Sequence, residues 1–291
     1  LDRRIRAVIG AGTSYELLWI TSYRFHQRLV ERFRIGRVML AGDAAHLFSP
    51  FGARGLNSGV ADAENLAWKL AAVVAGHAPP ALLDSYHLER RAAAVENLAV
   101  TDASMRFMVP RGLLRRRLRN AILRGSLRFP RLRRLVNSGR LAQPFSYADS
   151  PVVVPGAVDP RLPPVGGVAP DARCGAPDEA AAVSRLRDLF GSSFVALLVS
   201  EAPEEAARTA VRASRLAWPA PCRVVVLGAS GALSGVTVLT DAAGEVRAAY
   251  GAAGPAAFLV RPDGHLAAWL PLPRPESVDA LPGLQARAIA S

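Results

Sequence analysis

Lysine is almost missing from this chain. Lys69 is the only one, so the formal net charge of +12 rests on arginine. A nucleic-acid-binding surface ordinarily mixes the two cations and interleaves aromatic residues. Arginine set among abundant alanine points instead to a GC-rich coding bias, and no specific nucleic-acid partner is expected. Cysteine is scarce too: Cys174 and Cys222 stand far apart and form neither a CxxC pair nor a metal-ligand spacing. Both are expected as small buried side chains, with no metal site. No uninterrupted apolar run approaches the roughly 20 residues needed to cross a bilayer, and no signal peptide opens the chain. The expectation is a soluble, cytoplasmic protein without a membrane span.

What is present suits an α/β protein of one large or two ordinary domains, since 51% of the 291 residues are hydrophobic, enough for a sizeable core. Tyr15 to Phe25 mixes aromatic and β-branched residues and predicts a strand. In "HQRLVERFRIG", Leu29, Val30 and Phe33 fall on one side of a short turn or helix. Val38 to Ala41, an apolar run between glycines, predicts a strand buried on both faces. After a glycine-studded loop, Ala63, Leu66, Ala67, Leu70, Val73 and Val74 recur at helical spacing, with Asp62 and Glu64 in the early turns and Gly76 as the stop. "ALLDSYHLERRAAAVENLAVTDASMRFMV" predicts a second long helix. Residues 111–140 gather arginines among leucines, as in two amphipathic helices with a solvated basic face.

Residues 149–170 are dense in proline and glycine and predict a linker or extended crossing segment. Beyond them the pattern reads strand ("SFVALLV"), helix ("PEEAARTAVRASRLAW"), strand ("CRVVVL"), then a hairpin turning at Pro262-Asp263-Gly264 and a last helix. That order is the order of a thioredoxin-like fold.

The most informative stretch is "GRVMLAGDAAHLFSPFGARGLN". Gly42, lacking a Cβ, admits close approach to the backbone. Asp43 offers acceptor oxygens to a sugar-like hydroxyl. Gly52 and Gly55 permit unusual backbone angles before a helix starting near Leu56-Asn57-Ser58. The free amides of such a helix start, at the positive end of its dipole, suit a carbonyl oxygen or developing negative charge.

This stretch, continued by "NSGVADAENLAWKLA" and "LLDSYHLERR", resembles the second FAD-binding motif of the flavoprotein aromatic hydroxylases, the para-hydroxybenzoate hydroxylase-like class A monooxygenases, over roughly residues 20–105. "FLVRPDGHLAAW" is similar to the thioredoxin-like tail of the phenol and polyketide hydroxylase branch. The resemblance implies an α/β fold in three parts. Residues 1–148 would be a partial FAD-binding domain lacking its N-terminal βαβ unit, 149–170 the linker, and 171–291 a thioredoxin-like domain without redox cysteines.

It further implies FAD as cofactor, NAD(P)H as reductant, and O₂ with a phenolic or polyketide ring as substrates. Asp43 would take the ribityl chain, beside Gly42. Pro50, after the motif, would lie beside the reactive edge of the flavin, Gly52 would shape the loop that follows, and Gly55, Leu56 and Asn57 would face its pyrimidine end. Tyr23, Arg24 and Phe25 become candidates for the substrate pocket. His46 is expected to anchor the loop and Arg54 to be solvated. Ala53 stands where the family more often has glycine, tolerable if its φ is negative. The GxGxxG turn that cradles the pyrophosphate is missing, for "VIGAGTSYE" lacks a third glycine and a following helix. The expectation is therefore a C-terminal portion of a longer enzyme, inactive alone, its tail serving packing or homodimer formation. A non-catalytic remnant or interaction module, and another flavoenzyme sharing the Gly-Asp motif (an epoxidase, halogenase or reductase), are the competing readings.

Overall fold

The computed structural model describes residues 1–50, 52–136, 143–154, 159–175, 185–200, 202–228, 233–241, 243–251, 254–272 and 274–290. Phe51 of the glycine loop, Arg140 of the basic cluster and residues 155–158 of the crossing segment lie outside these.

A short helix, α1 (Asp2–Ile9), opens the chain with none of its residues buried. Tyr15 to Phe25 forms no strand, and Leu17, Leu18, Trp19 and Ile20 are exposed. Strand propensity reports fit to a half-buried pleated surface, and no described strand lies beside this segment to supply one. Four two-residue strands follow: β1 (Arg28–Leu29), β2 (Arg34–Ile35), β3 (Val38–Met39) and β4 (His46–Leu47). β1 pairs antiparallel with β4, and β2 with β3. The run at Val38 is thus one arm of a minimal hairpin, not a strand buried on both faces, and Val38 is exposed. Phe33, Ala45, Tyr86 and Ala94 make a small core here, with Leu29 and Val30 packed against it as their spacing predicted.

The two long helices are α2 (Arg54–Val74) and α3 (Leu82–Met108). Gly76, with φ of 75°, follows the end of α2 as expected. The buried face of α2 differs from the predicted one: Ser58, Asp62, Asn65, Trp68 and Lys69 are buried, whereas Ala63, Ala67 and Val74 are exposed. Polar residues at helical spacing go inward because α3 presents Glu89 and Arg90 to meet them. α4 (Leu113–Ser126) and α5 (Pro130–Val136) carry the basic cluster. No residue of α4 is buried, so Leu113, Leu114 and Leu118 stand exposed along with the arginines.

The C-terminal part is a five-stranded mixed sheet. In chain order it comprises β5 (Phe194–Val199), α6 (Pro203–Ser214), β6 (Cys222–Leu227), β7 (Thr237–Leu239), α7 (Glu245–Tyr250), β8 (Ala256–Val260), β9 (Leu266–Pro271) and α8 (Leu281–Ile289). The strand order is β7-β6-β5-β8-β9, with β5, β6 and β7 parallel and β8 and β9 antiparallel to their neighbours. Period-2 alternation sorts β5 between two cores. Phe194, Ala196 and Leu198 join the alanines of α6 on one face, while Val195, Leu197 and Val199 join Leu186, Tyr250 and Phe258 on the other. The first face also takes Trp68 of α2 and Leu82 of α3, so the long helices and the sheet share one core.

The described residues on either side of 155–158, 149–154 and 159–170, are tied to the β8–β9 hairpin. Val152 is buried, and Val154 N, Gly166 N and Ala169 N each donate at 2.8 Å to carbonyls of Ala267, Leu266 and Gly264 respectively. Cys174 is buried, but Cys222 is only half-buried, at the start of β6 beside the sheet's rim. Among the described residues no helix is long and apolar enough to cross a membrane.

Candidate functional site

The start of α2 is held open by an unusual residue. Ala53, its N-cap, has φ of 52° and ψ of 35° and makes no side-chain capping bond. Among the described residues it is the only non-glycine with positive φ, so the expected negative φ is corrected. Left-handed backbone at an alanine is strained, and here it stands at the entry to α2, whose first residues border the depression.

Those amides border an open depression of about 400 Å³ lined by Asp43, Ser49, Pro50, Gly55, Leu56 and Asn57, with Phe25, Leu47, Phe48, Ala53 and Arg54 completing the wall. Asp43 hydrogen-bonds to no other described residue and faces solvent. Ser49 Oγ is buried with no partner among the described residues. An orphaned hydroxyl in a wall costs stability unless something polar meets it.

The structure therefore brings together Asp43, Pro50, Gly55, Leu56 and Asn57, and adds Phe25 from the predicted substrate-pocket trio. Gly42 lies behind the wall. Gly52 (φ of 88°) shapes the loop without lining the depression. Tyr23 and Arg24 are exposed and do not line it, though the Tyr23 ring lies 5.5 Å from that of Phe25. Arg54 is not a solvated loop residue: it opens α2, and its Nη1 donates to Asn97 Oδ1 at 2.6 Å.

Behind the depression sits a buried charge network. Asp62 is fully buried and accepts from Gly42 N (2.9 Å), from Arg90 Nε (2.7 Å) and from His46 Nε2 (2.7 Å). Burial pushes its carboxyl upward, but the hydrogen bond from His46 and the Arg90 guanidinium outweigh that, and it sits below its ordinary value. His46 also stacks on Phe48 with ring centroids 4.5 Å apart, the loop-anchoring role its position suggested. Arg90 Nη1 in turn donates to Tyr147 OH at 2.7 Å.

A second cluster ties the helices to the β8–β9 turn. Glu89 accepts from Lys69 Nζ (2.7 Å), Asn65 Nδ2 (2.6 Å), Ser150 Oγ (2.5 Å) and both terminal nitrogens of Arg261 (2.6 and 2.9 Å). Asp263 accepts from Arg261, Trp68 Nε1 and Asn65. Burial raises the Glu89 carboxyl, yet Arg261 and Lys69 bring it down to about 2. For Lys69 burial dominates and lowers the ammonium to about 8 despite Glu89. Sequence reading missed Asp62, Asn65, Lys69, Glu89 and Arg90. The legible signal was Asp62, Asn65 and Lys69 at i, i+3 and i+7, one polar stripe, followed by adjacent opposite charges at Glu89-Arg90.

A short strand, a left-handed glycine and a helix start surround this open depression. Residues 3–101 match the FAD binding domain family. It is 51% identical to the dialkyldecalin synthase of Streptomyces rugosporus over 90 residues, 31% of this chain and 19% of the relative. It is 36% identical to a 3-(3-hydroxy-phenyl)propionate/3-hydroxycinnamic acid hydroxylase of a Mycobacterium species (strain KMS) over 163 residues, 56% of this chain and 28% of the relative. Among solved structures, that of aklavinone-11 hydroxylase with FAD and aklavinone superposes with a TM-score of 0.66 at 28% identity, over 99% of this chain and 51% of that one. The chain thus spans about half the length of that solved relative.

Proposed function

We propose that this chain supplies the ribityl and pyrimidine side of the flavin seat in an FAD-dependent monooxygenase that hydroxylates a phenolic or polyketide ring, with NAD(P)H as reductant and O₂ as co-substrate. The observation that carries the reading is the convergence of Asp43, Pro50 and the Gly55–Asn57 amides on one depression. The donor set fits the group. The Asp43 carboxylate and the Ser49 hydroxyl, neither with a partner among the described residues, suit a polyhydroxylated chain, and the start of α2 suits a ring bearing carbonyl oxygens. When bound, FAD supplies the redox and oxygen chemistry. Asp43 then holds the hydroxyls of the ribityl chain, and the α2 amides stabilise negative charge at the pyrimidine end. Pro50 and Phe25 line the depression and exclude water from it.

The domain plan follows the same reading: a partial FAD-binding domain over 1–148, the crossing segment over 149–170 and a thioredoxin-like unit over 171–291. The order β6-β5-β8-β9, with two parallel and two antiparallel strands, supports that last assignment. Its function is packing or self-association rather than redox exchange. Burial pushes the Cys222 thiol up to about 12 and raises that of Cys174, the opposite of a reactive thiolate.

A second reading is favoured by one finding. The 51% identity to a dialkyldecalin synthase shows this motif in a relative named for a different reaction, so a flavin seat serving other chemistry is the alternative. Titration of the purified chain with FAD, followed by flavin fluorescence and absorbance, tests the seat. Saturable quenching that weakens in Asp43→Ala is expected, and no spectral change at any FAD concentration overturns the assignment. Product analysis on phenolic substrates with NAD(P)H then separates hydroxylation from the alternative.

A further inference from the structure

We propose that Asp62 is the positioning residue of the Gly42–Asp43 turn, and that the β8–β9 hairpin steadies it through Tyr147 and Arg90. The inference rests on the flavin-seat reading for its functional consequence, but its geometry stands independently.

The turn and α2 meet backbone to backbone. A Cβ built on Gly59 would lie 3.6 Å from Gly42 Cα, an ordinary van der Waals contact, so the two backbones pass close to each other. Gly42 adopts φ of 60°, and the chain then makes a tight turn over Gly42–Ala44. Three residues beyond Gly59, Asp62 points to the same spot and accepts the Gly42 amide. That amide is therefore occupied, and Asp43, the next residue, is the one turned toward the depression. One carboxylate oxygen also receives His46 across the turn, so both ends of the Gly42–His46 segment are fixed to a single buried group.

A carboxylate buried this deeply would, with no cation beside it, take up a proton and lose its fixed orientation. Arg90 prevents both by binding the other oxygen and by donating to Ser58 O at 3.2 Å. Arg90 is itself oriented by Tyr147, whose ring lies 4.4 Å from that of His265 and under the Arg261 guanidinium at 5.2 Å. His265 and Arg261 flank the hairpin turn. An unbroken line of buried contacts therefore runs from that turn through Tyr147, Arg90 and Asp62 to the backbone beside Asp43. This gives the C-terminal sheet a role in the seat although none of its residues lines the depression.

The test compares Asp62→Asn and Tyr147→Phe with Leu259→Ala, a core truncation in the same sheet at a residue that is not a member of the line. Three quantities are read: the thermal midpoint, the Gly42 amide proton resonance in ¹⁵N-labelled protein without flavin, and the FAD dissociation constant. Tyr147→Phe keeps the ring and removes one hydrogen bond, so it folds even if Asp62→Asn does not. The expected result is an upfield shift of the Gly42 resonance in both line variants, a rise of about tenfold in Kd for Asp62→Asn and of a few-fold for Tyr147→Phe. Leu259→Ala lowers the midpoint most and moves neither the resonance nor Kd. An unmoved Gly42 resonance in Tyr147→Phe overturns the line, and wild-type Kd in both line variants overturns the positioning role. If the wild-type chain binds no FAD while the resonances move as stated, the flavin seat falls and the positioning of the turn stands.

Discussion

Replacing Glu89 with glutamine keeps its shape and removes its charge. Glu89, Lys69 and Arg261 are all buried, so the change leaves two buried cations sharing Asp263. It also turns one acceptor into an NH₂ group facing the Arg261 or Lys69 donors. Breaking a buried pair by removing one partner costs about 3–5 kcal/mol, because the orphaned charge cannot return to water. At roughly 2–4 °C per kcal/mol for a chain of this size class, the midpoint should fall by on the order of 10 °C. Thermal and urea unfolding followed by circular dichroism measure it. Asp279→Asn is the internal control: its pair with Arg212 lies on the surface, with side chains 42% and 46% exposed, and its midpoint should stay close to that of the unaltered chain. A Glu89→Gln midpoint within the range of that control would refute the claim that the network is an obligatory part of the core.

Acidification should expose the same network from another side. Glu89 titrates near 2 in the folded chain against 4.5 when free, so the unfolded state takes up a proton first as pH falls. Its stabilisation is complete above pH 4.5 and is lost between there and pH 2, about 3 kcal/mol in all, and Glu89→Gln should flatten that limb of a stability-versus-pH curve. Ala53→Gly should relieve left-handed strain and raise stability by about 0.5–1 kcal/mol, read as a higher urea midpoint at unchanged slope. Gly42→Ala, also at positive φ, should do the reverse by about 1 kcal/mol or more. Arg115→Gln, Arg116→Gln and Arg117→Gln on exposed α4 should each change stability by less than about 0.5 kcal/mol.

The strand and helix assignments that succeeded rest on local chemistry. β5, β6, β8 and β9 are continuous β-branched or apolar runs bounded by turn residues, and the Asp263-Gly264 pair made its turn with Gly264 at φ of 75°. The failures share a cause. The Tyr15–Phe25 segment and the Val38 run carry strand-forming residues, but a strand needs neighbours: among the described residues the first has none, and the second has only the two-residue β2. The sequence reading marked the helical spacing of α2 by its apolar positions and did not pick out the polar stripe. It faces inward because the partner residues on α3 and in the β8–β9 turn lie about 20 and about 200 residues away in the chain, a separation no local pattern encodes.

By itself the sequence determined the Gly-Asp turn, the loop and the long helix after it, and so the residues that border the depression, because each depends on backbone preferences of a few adjacent residues. Only the tertiary structure decided how that turn is held. The Gly42 amide, His46 and Arg90 converge on Asp62, and Arg261 and Lys69 on Glu89, through contacts between distant elements. A buried charge is stable only where opposite charge and hydrogen bonds are delivered to it together, and folding alone brings them to one place.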